Sequence, residues 1–215
     1  MDLLYNEEVS IPVQNVLLQG NLAIPDHAQG IIIFSHGSGS SRFSPRNEKV
    51  AHYLQVKGFA TLLFDLLTTE EDLNYHKRFD IELLHIRLIG VTKWVQSDQI
   101  TRNLSIGYFG ASTGAASALT AAAALPEIKA VVSRGGRPDL AMNVLNMVKA
   151  ATLLIVGGLD IDVLALNRKA LDQLQCKKNL QIIDSATHLF EEHGKMDEVC
   201  TYAGEWFDLY LKENT

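Results

Sequence analysis

Only two cysteines, Cys176 and Cys200, occur in the 215-residue chain. They show no metal-ligand spacing, and a cytoplasmic chain keeps such thiols reduced. No apolar run approaches the roughly 20 residues of a membrane span. The opening MDLLYNEEVS lacks the basic start and apolar core of a signal peptide. A soluble cytoplasmic protein that does not engage a membrane is therefore expected. Positive charge is also in deficit: 19 Lys and Arg face 25 Asp and Glu, for a net charge of −6. A phosphate backbone needs a basic face, so nucleic acid is not an expected partner. Linkers, repeats and low-complexity tracts are missing too. What remains, with 47% apolar and 20% charged residues, suits one α/β domain over residues 1–215 with a substantial core.

Short continuous apolar runs recur along the chain. GIIIFSHG (30–37), FATLLFD (59–65), LSIGYFG (104–110), KAVVSRGG (129–136) and ATLLIVGG (151–158) have the character of strands buried on both faces of a parallel sheet, and LQIID (180–184) is a shorter one. Residues 8–25 alternate loosely, which predicts an antiparallel N-terminal hairpin turning near Gln14 and Asn15. Helical stretches fill the gaps. Ser44-Pro45 opens one that stops at Gly58. Ile81, Leu84, Leu88, Val91 and Val95 give a helical period between Arg78 and Gln96. Ser112 to Leu125 is alanine-rich; Leu140–Val148 and Val163–Leu174 are shorter, and a final helix carries Met196, Val199, Ala203 and Phe207 on one face. This alternation predicts a mostly parallel sheet covered by helices on both faces, with no gap able to hold a large cap domain.

In open parallel sheets ligands bind at the carboxyl ends of strands. GSGSSR (37–42) offers G-x-G, and Asp65 ends the next strand, the outline of a dinucleotide site. Yet Arg42 stands where the third glycine belongs, and the helix begins only at Ser44-Pro45, too late to bring its N-terminus onto a pyrophosphate. A P-loop is excluded because no lysine follows a glycine at the needed spacing. The competing pattern is Gly110-Ala111-Ser112-Thr113-Gly114 between a buried strand and an alanine-rich helix. That is the setting of a nucleophile elbow, in which a strained turn presents the serine and glycines two residues away prevent clashes. A plain structural turn is the bland alternative.

A serine hydroxyl needs a base, and the base needs an orienting acid. After Ser112 the histidines are His188 and His193. His188 lies four residues past the last strand and is the first choice; His193, beside Gly194, reads as solvated. Asp160 directly follows LLIVGGL and is the preferred acid, with Asp162 second and otherwise an N-cap; Asp139 reads as the cap of a helix. The oxyanion needs two N–H donors: that of Thr113, and that of Ser38 or, second, Gly39. His36 reads as ordering its loop. No metal or cofactor is called for.

FSHGSGSSRFSPRN, GASTG, VVSRGGRPDL, LIVGGLD and ATHLFEE together resemble segments of the α/β-hydrolase superfamily, in its dienelactone hydrolase-like branch, and the resemblance covers nearly the whole chain. It implies an α/β-hydrolase fold in which Ser112, Asp160 and His188 carry the triad. One departure matters: dienelactone hydrolases proper have cysteine where this chain has Ser112, so lactone specificity does not transfer. The expected function is cleavage of a small acyl ester, lactone or thioester through an acyl-enzyme. The alternative is a receptor or scaffold of the same fold with slow or no turnover. Without a cap the pocket should be shallow and the substrate small, unless a second copy of the chain covers it. Four arginines (Arg42, Arg46, Arg134 and Arg137) fall near the same edge. They are either surface ion pairs or, for Arg134 with Arg42 or Arg46, a grip on an anionic group of the substrate.

Overall fold

The computed structural model describes residues 3–212. Eight strands form one sheet in the order β1-β2-β4-β3-β5-β6-β7-β8. β1 (Leu3–Val13) and β2 (Val16–Pro25) are the predicted antiparallel hairpin, and β2 also runs antiparallel to β4. Gln14 takes φ 52° in the two-residue loop, and Val13 pairs with Val16. β3 (Ile31–Ser35), β4 (Ala60–Phe64), β5 (Ile106–Ala111), β6 (Ala130–Arg134), β7 (Ala151–Gly157) and β8 (Lys178–Ile183) are joined in parallel.

The inner strands are apolar on both faces because both faces are covered. Along β3, Ile31 and Ile33 join the core under α3 (Ile81–Ser97), α4 (Thr113–Ala124) and α5 (Ile161–Gln173), whereas Ile32 and Phe34 join the core under α1 (Pro45–Val56) and α6 (Lys195–Leu211). Phe34 stacks on Phe109 with ring centroids 5.0 Å apart. Burying each such ring contributes about 1.5–3 kcal/mol. The alanines of α4 are small enough to let that helix lie close on the centre of the sheet, where Ala115, Ala116, Ala118 and Ala121 are fully buried.

Three local expectations are corrected. Arg78 lies outside α3: Tyr75–Phe79 is a 3-10 turn, and Asp80 starts the helix by accepting the Leu83 N–H at 3.0 Å. Residues 140–148 are not one helix but parts of two 3-10 turns, Pro138–Ala141 and Leu145–Met147, since neither has a side-chain cap to extend it. Asp139 does not cap; both of its oxygens accept from Arg137, at 2.8 Å each. A short helix, α2 (Thr69–Asp72), carries a capping box between Thr68 and Glu71 whose T-x-x-E signature stands in the sequence.

Candidate active site

Ser112 falls between the last residue of β5 and the first of α4, with φ 51° and ψ −122°. A non-glycine residue there costs about 1–3 kcal/mol and persists only where its surroundings fix it. They do so from both sides. Its N–H donates to Arg134 O at 3.2 Å, and its carbonyl accepts the N–H groups of Ala115 (3.1 Å) and Arg137 (3.0 Å). The flanking glycines are obligatory by space: a Cβ on Gly114 would meet Ser35 O at 2.1 Å, and one on Gly110 would meet Ala115 Cα at 2.5 Å.

Asp160 and His188 are brought together from the ends of β7 and β8. The Leu159 N–H donates to Ala186 O at 3.0 Å, and Gly157 passes so close to that same carbonyl that a Cβ would stand 2.4 Å from it. This draws the two loops into register. His188 Nδ1 lies 2.6 Å from Asp160 Oδ2, the side chains being 38% and 15% exposed. A carboxylate can only accept, so Nδ1 carries the proton, which in the neutral ring leaves the lone pair on Nε2. Asp160 occupies the N-cap position of α5 yet makes no cap hydrogen bond; its carboxylate serves His188 instead. Asp162, the second choice for the acid and the expected cap, is exposed in the first turn of α5, and His193 is exposed as well.

Ser112 Oγ makes no hydrogen bond to His188, whose described side-chain bond is the one to Asp160. The two residues flank one dipeptide: Arg134 O receives the Ser112 N–H, and a Cβ on Gly135 would stand 3.4 Å from the His188 ring. Uncomplexed sites often hold this contact long and close it around substrate.

The loop after β3 sits against Ser112, with a Cβ on Gly37 reaching to 3.1 Å from Ser112 Cβ. Residues 37–40 form a turn closed by Ser40 N–H to Gly37 O at 3.2 Å, with Gly39 at φ 70° as its third residue. The expected donors Ser38 and Thr113 meet each other here: Ser38 N–H donates to Thr113 Oγ1 at 2.8 Å, so it is engaged rather than open. The Thr113 N–H, at the first position of α4, has no intrahelical acceptor. His36 has both nitrogens in use. Nε2 accepts the Leu66 N–H at 3.1 Å, and Nδ1 donates to Gly37 O at 2.9 Å. Burial lowers its pKa, and it holds the loop as a neutral ring.

The arginines separate. Arg42 is not open to a substrate: its guanidinium holds Asp65, Glu8 and Asn21 and lies over the Phe43 ring. Arg137 is closed by Asp139. Arg46 gives one nitrogen to Glu191 at 3.1 Å. Arg134 is 6% exposed and, among the described residues, has no ion pair. No described group of three or more His, Cys, Asp or Glu residues could hold a metal ion, and no described helix is long and apolar enough to cross a membrane.

Comparison with solved structures decides the family. A dienelactone hydrolase from Anabaena variabilis shares 56% identity over 97% of this chain and 99% of that one, with a TM-score of 0.95. The chain belongs to the dienelactone hydrolase-like branch of the α/β-hydrolase superfamily. A lidless α/β serine hydrolase from Xanthomonas campestris, at 20% identity and TM-score 0.81 over 99% of this chain and 98% of its own, shares the fold of this α/β hydrolase. Two curated Mycobacterium tuberculosis proteins, named as a candidate phosphoribosyl transferase, are 53% identical over 209 residues. The chain spans about half their length, 47% of each. No family model matches it.

Proposed function

We propose that the chain is a serine hydrolase that cleaves a small acyl ester, lactone or thioester. The observation that carries this reading is the 2.6 Å bond between Asp160 and His188, at the same sheet edge as the strained Ser112. His188 Nε2 takes the Ser112 proton as Oγ attacks the acyl carbonyl. The Thr113 N–H receives the oxyanion, together with the Ser38 N–H once the substrate oxygen displaces Thr113 Oγ1 from it. His188 then gives the proton to the leaving oxygen or sulfur, which departs from the acyl carbon. Water, deprotonated by His188, attacks the acyl-enzyme; the acid is released and Ser112 recovers its proton. The transferase named for the longer mycobacterial relatives belongs, in this reading, to the part of them that this chain does not span.

The test is a panel of small esters, thioesters and lactones, run beside fluorophosphonate labelling on wild type and Ser112→Ala. Turnover and labelling that both vanish in the variant support the assignment. A variant that labels like wild type moves the nucleophile elsewhere. Labelling of wild type without turnover of any panel member favours a slow receptor.

A further inference from the structure

We propose that Arg134, assisted by Arg46, binds an anionic group of the substrate, and that this group is a phosphate monoester. The proposal rests on the hydrolase reading, since it names the substrate class of the same edge. Arg134 ends β6. Its carbonyl accepts the nucleophile's N–H, and its successor Gly135 lies against the His188 ring. Strand alternation puts its side chain on the face of Ala130 and Val132, the face covered by α1 and α6. Arg46 stands in the first turn of α1.

Arg134 is almost wholly buried, yet among the described residues no acceptor meets its guanidinium, and its Nε is enclosed without a partner. The Arg46 Nε is enclosed without a partner too, its one bond going through Nη1 to the exposed Glu191. Unlike Arg134, the arginines Arg42, Arg46, Arg78, Arg87 and Arg137 each hold a carboxylate. The neighbouring charge that acts on Arg134 is another cation, Arg46; burial first and Arg46 second lower its pKa to about 10. It therefore stays charged at neutral pH. A buried charge without a counter-charge is strongly destabilising, and a ligand oxyanion would remove that cost.

The number of cations selects the anion. A carboxylate brings two coplanar oxygens and a single negative charge, enough to balance one guanidinium. A phosphate monoester has three terminal oxygens and close to two negative charges at neutral pH, so it can accept from both arginines.

The experiment compares kcat/KM for three small acyl esters that differ in a substituent remote from the ester: phosphate, carboxylate or hydroxyl. Wild type should favour the phosphate over the hydroxyl ester by at least about ten-fold, with the carboxylate between. Arg134→Met should bring the phosphate-to-hydroxyl ratio close to one. Arg134→Lys, which keeps charge but loses the fork, should leave it intermediate, and serves if the methionine variant does not fold. Arg42→Met, at an arginine already closed by the fold, should keep the wild-type ratio. Independently of turnover, calorimetry with inorganic phosphate at constant ionic strength should give binding to wild type and none to Arg134→Met. A ratio of one on wild type, or one that survives Arg134→Met, overturns the proposal while hydroxyl-ester turnover keeps the hydrolase reading standing. A clear preference for the carboxylate overturns the phosphate assignment. Failure of all three esters together with failure of Ser112 labelling counts against the hydrolase reading, and the calorimetry still decides the arginine site.

Discussion

The two halves of the sheet's carboxyl edge treat one histidine and one arginine apiece in opposite ways. On the β3–β4 side, His36 has both ring nitrogens bonded and Arg42 has its guanidinium bonded to three side chains drawn from β1, β2 and the end of β4. On the β6–β8 side, His188 has one nitrogen bonded and one open, and Arg134 has no described partner at all. The same residue types stand in both halves, so residue type does not separate structural from chemical groups here. Unused bonding capacity does. A saturated group holds a loop in place; an unsaturated one at a strand end is ready for a molecule that is not part of the chain.

The sharpest way to break this contrast is at the acids. Asp160→Asn should lower kcat by about 10³–10⁴-fold, because the amide no longer fixes the His188 tautomer or stabilises its cation. Asp65→Asn, at the saturated side, should lower kcat/KM less than ten-fold while reducing the melting temperature. Equal kinetic damage from both would erase the distinction.

Arginine exchange should move stability in opposite directions. The lowered pKa of Arg134 corresponds to about 3 kcal/mol against the folded state at neutral pH. Arg134→Met should therefore raise the melting temperature, by about 2–8 °C for a gain of roughly 1–2 kcal/mol. Arg42→Met should lower it, since Asp65 and Glu8 lose their partner. Thermal unfolding of both variants at neutral pH reads the sign directly, and a fall with Arg134→Met would mean that its charge is satisfied within the fold.

A smaller effect separates the histidines. His36 is buried with its pKa lowered from 6.5, so the unfolded chain takes up a proton there before the folded chain does. Its contribution is fully present above pH 6.5 and is lost as the pH falls from that value toward the folded pKa, at up to about 1.4 kcal/mol per pH unit. Denaturant unfolding across this range should show a shallower slope for His36→Gln than for wild type; parallel slopes would remove His36 as the cause. Smallest is Thr113→Val, which deletes the acceptor of the Ser38 N–H and, at about 1 kcal/mol for one hydrogen bond, should reduce kcat/KM about five-fold through a looser oxyanion loop.

Much of this edge was legible in the sequence because its signals are local. Gly110-Ala111-Ser112-Thr113-Gly114 sits between a strand and a helix that each have their own period, and the loops after β7 and β8 carry Asp160 and His188 where a strand-end reading puts them. The saturation of Arg42 was not legible, since its partners Glu8, Asn21 and Asp65 come from three separate segments. The same holds for Ser38 and Thr113, which are 75 residues apart and meet through a side chain rather than by the backbone pattern. The segment 140–148 misled because a few apolar residues imitate a helical period, although no cap fixes either end.

The bonds that hold Ser112 bear on how the site comes apart. Its N–H is tied to β6 and its carbonyl to α4 and to the loop after β6, while Gly114 is pressed onto the end of β3. The amide hydrogen of Ser112 should therefore exchange with solvent only when the sheet itself opens. The amides of Thr187 and His188, in a loop with exposed residues on both sides of the ring, should exchange in local openings well before that. On gentle warming, His188 would leave its place while Ser112 still stood in its turn.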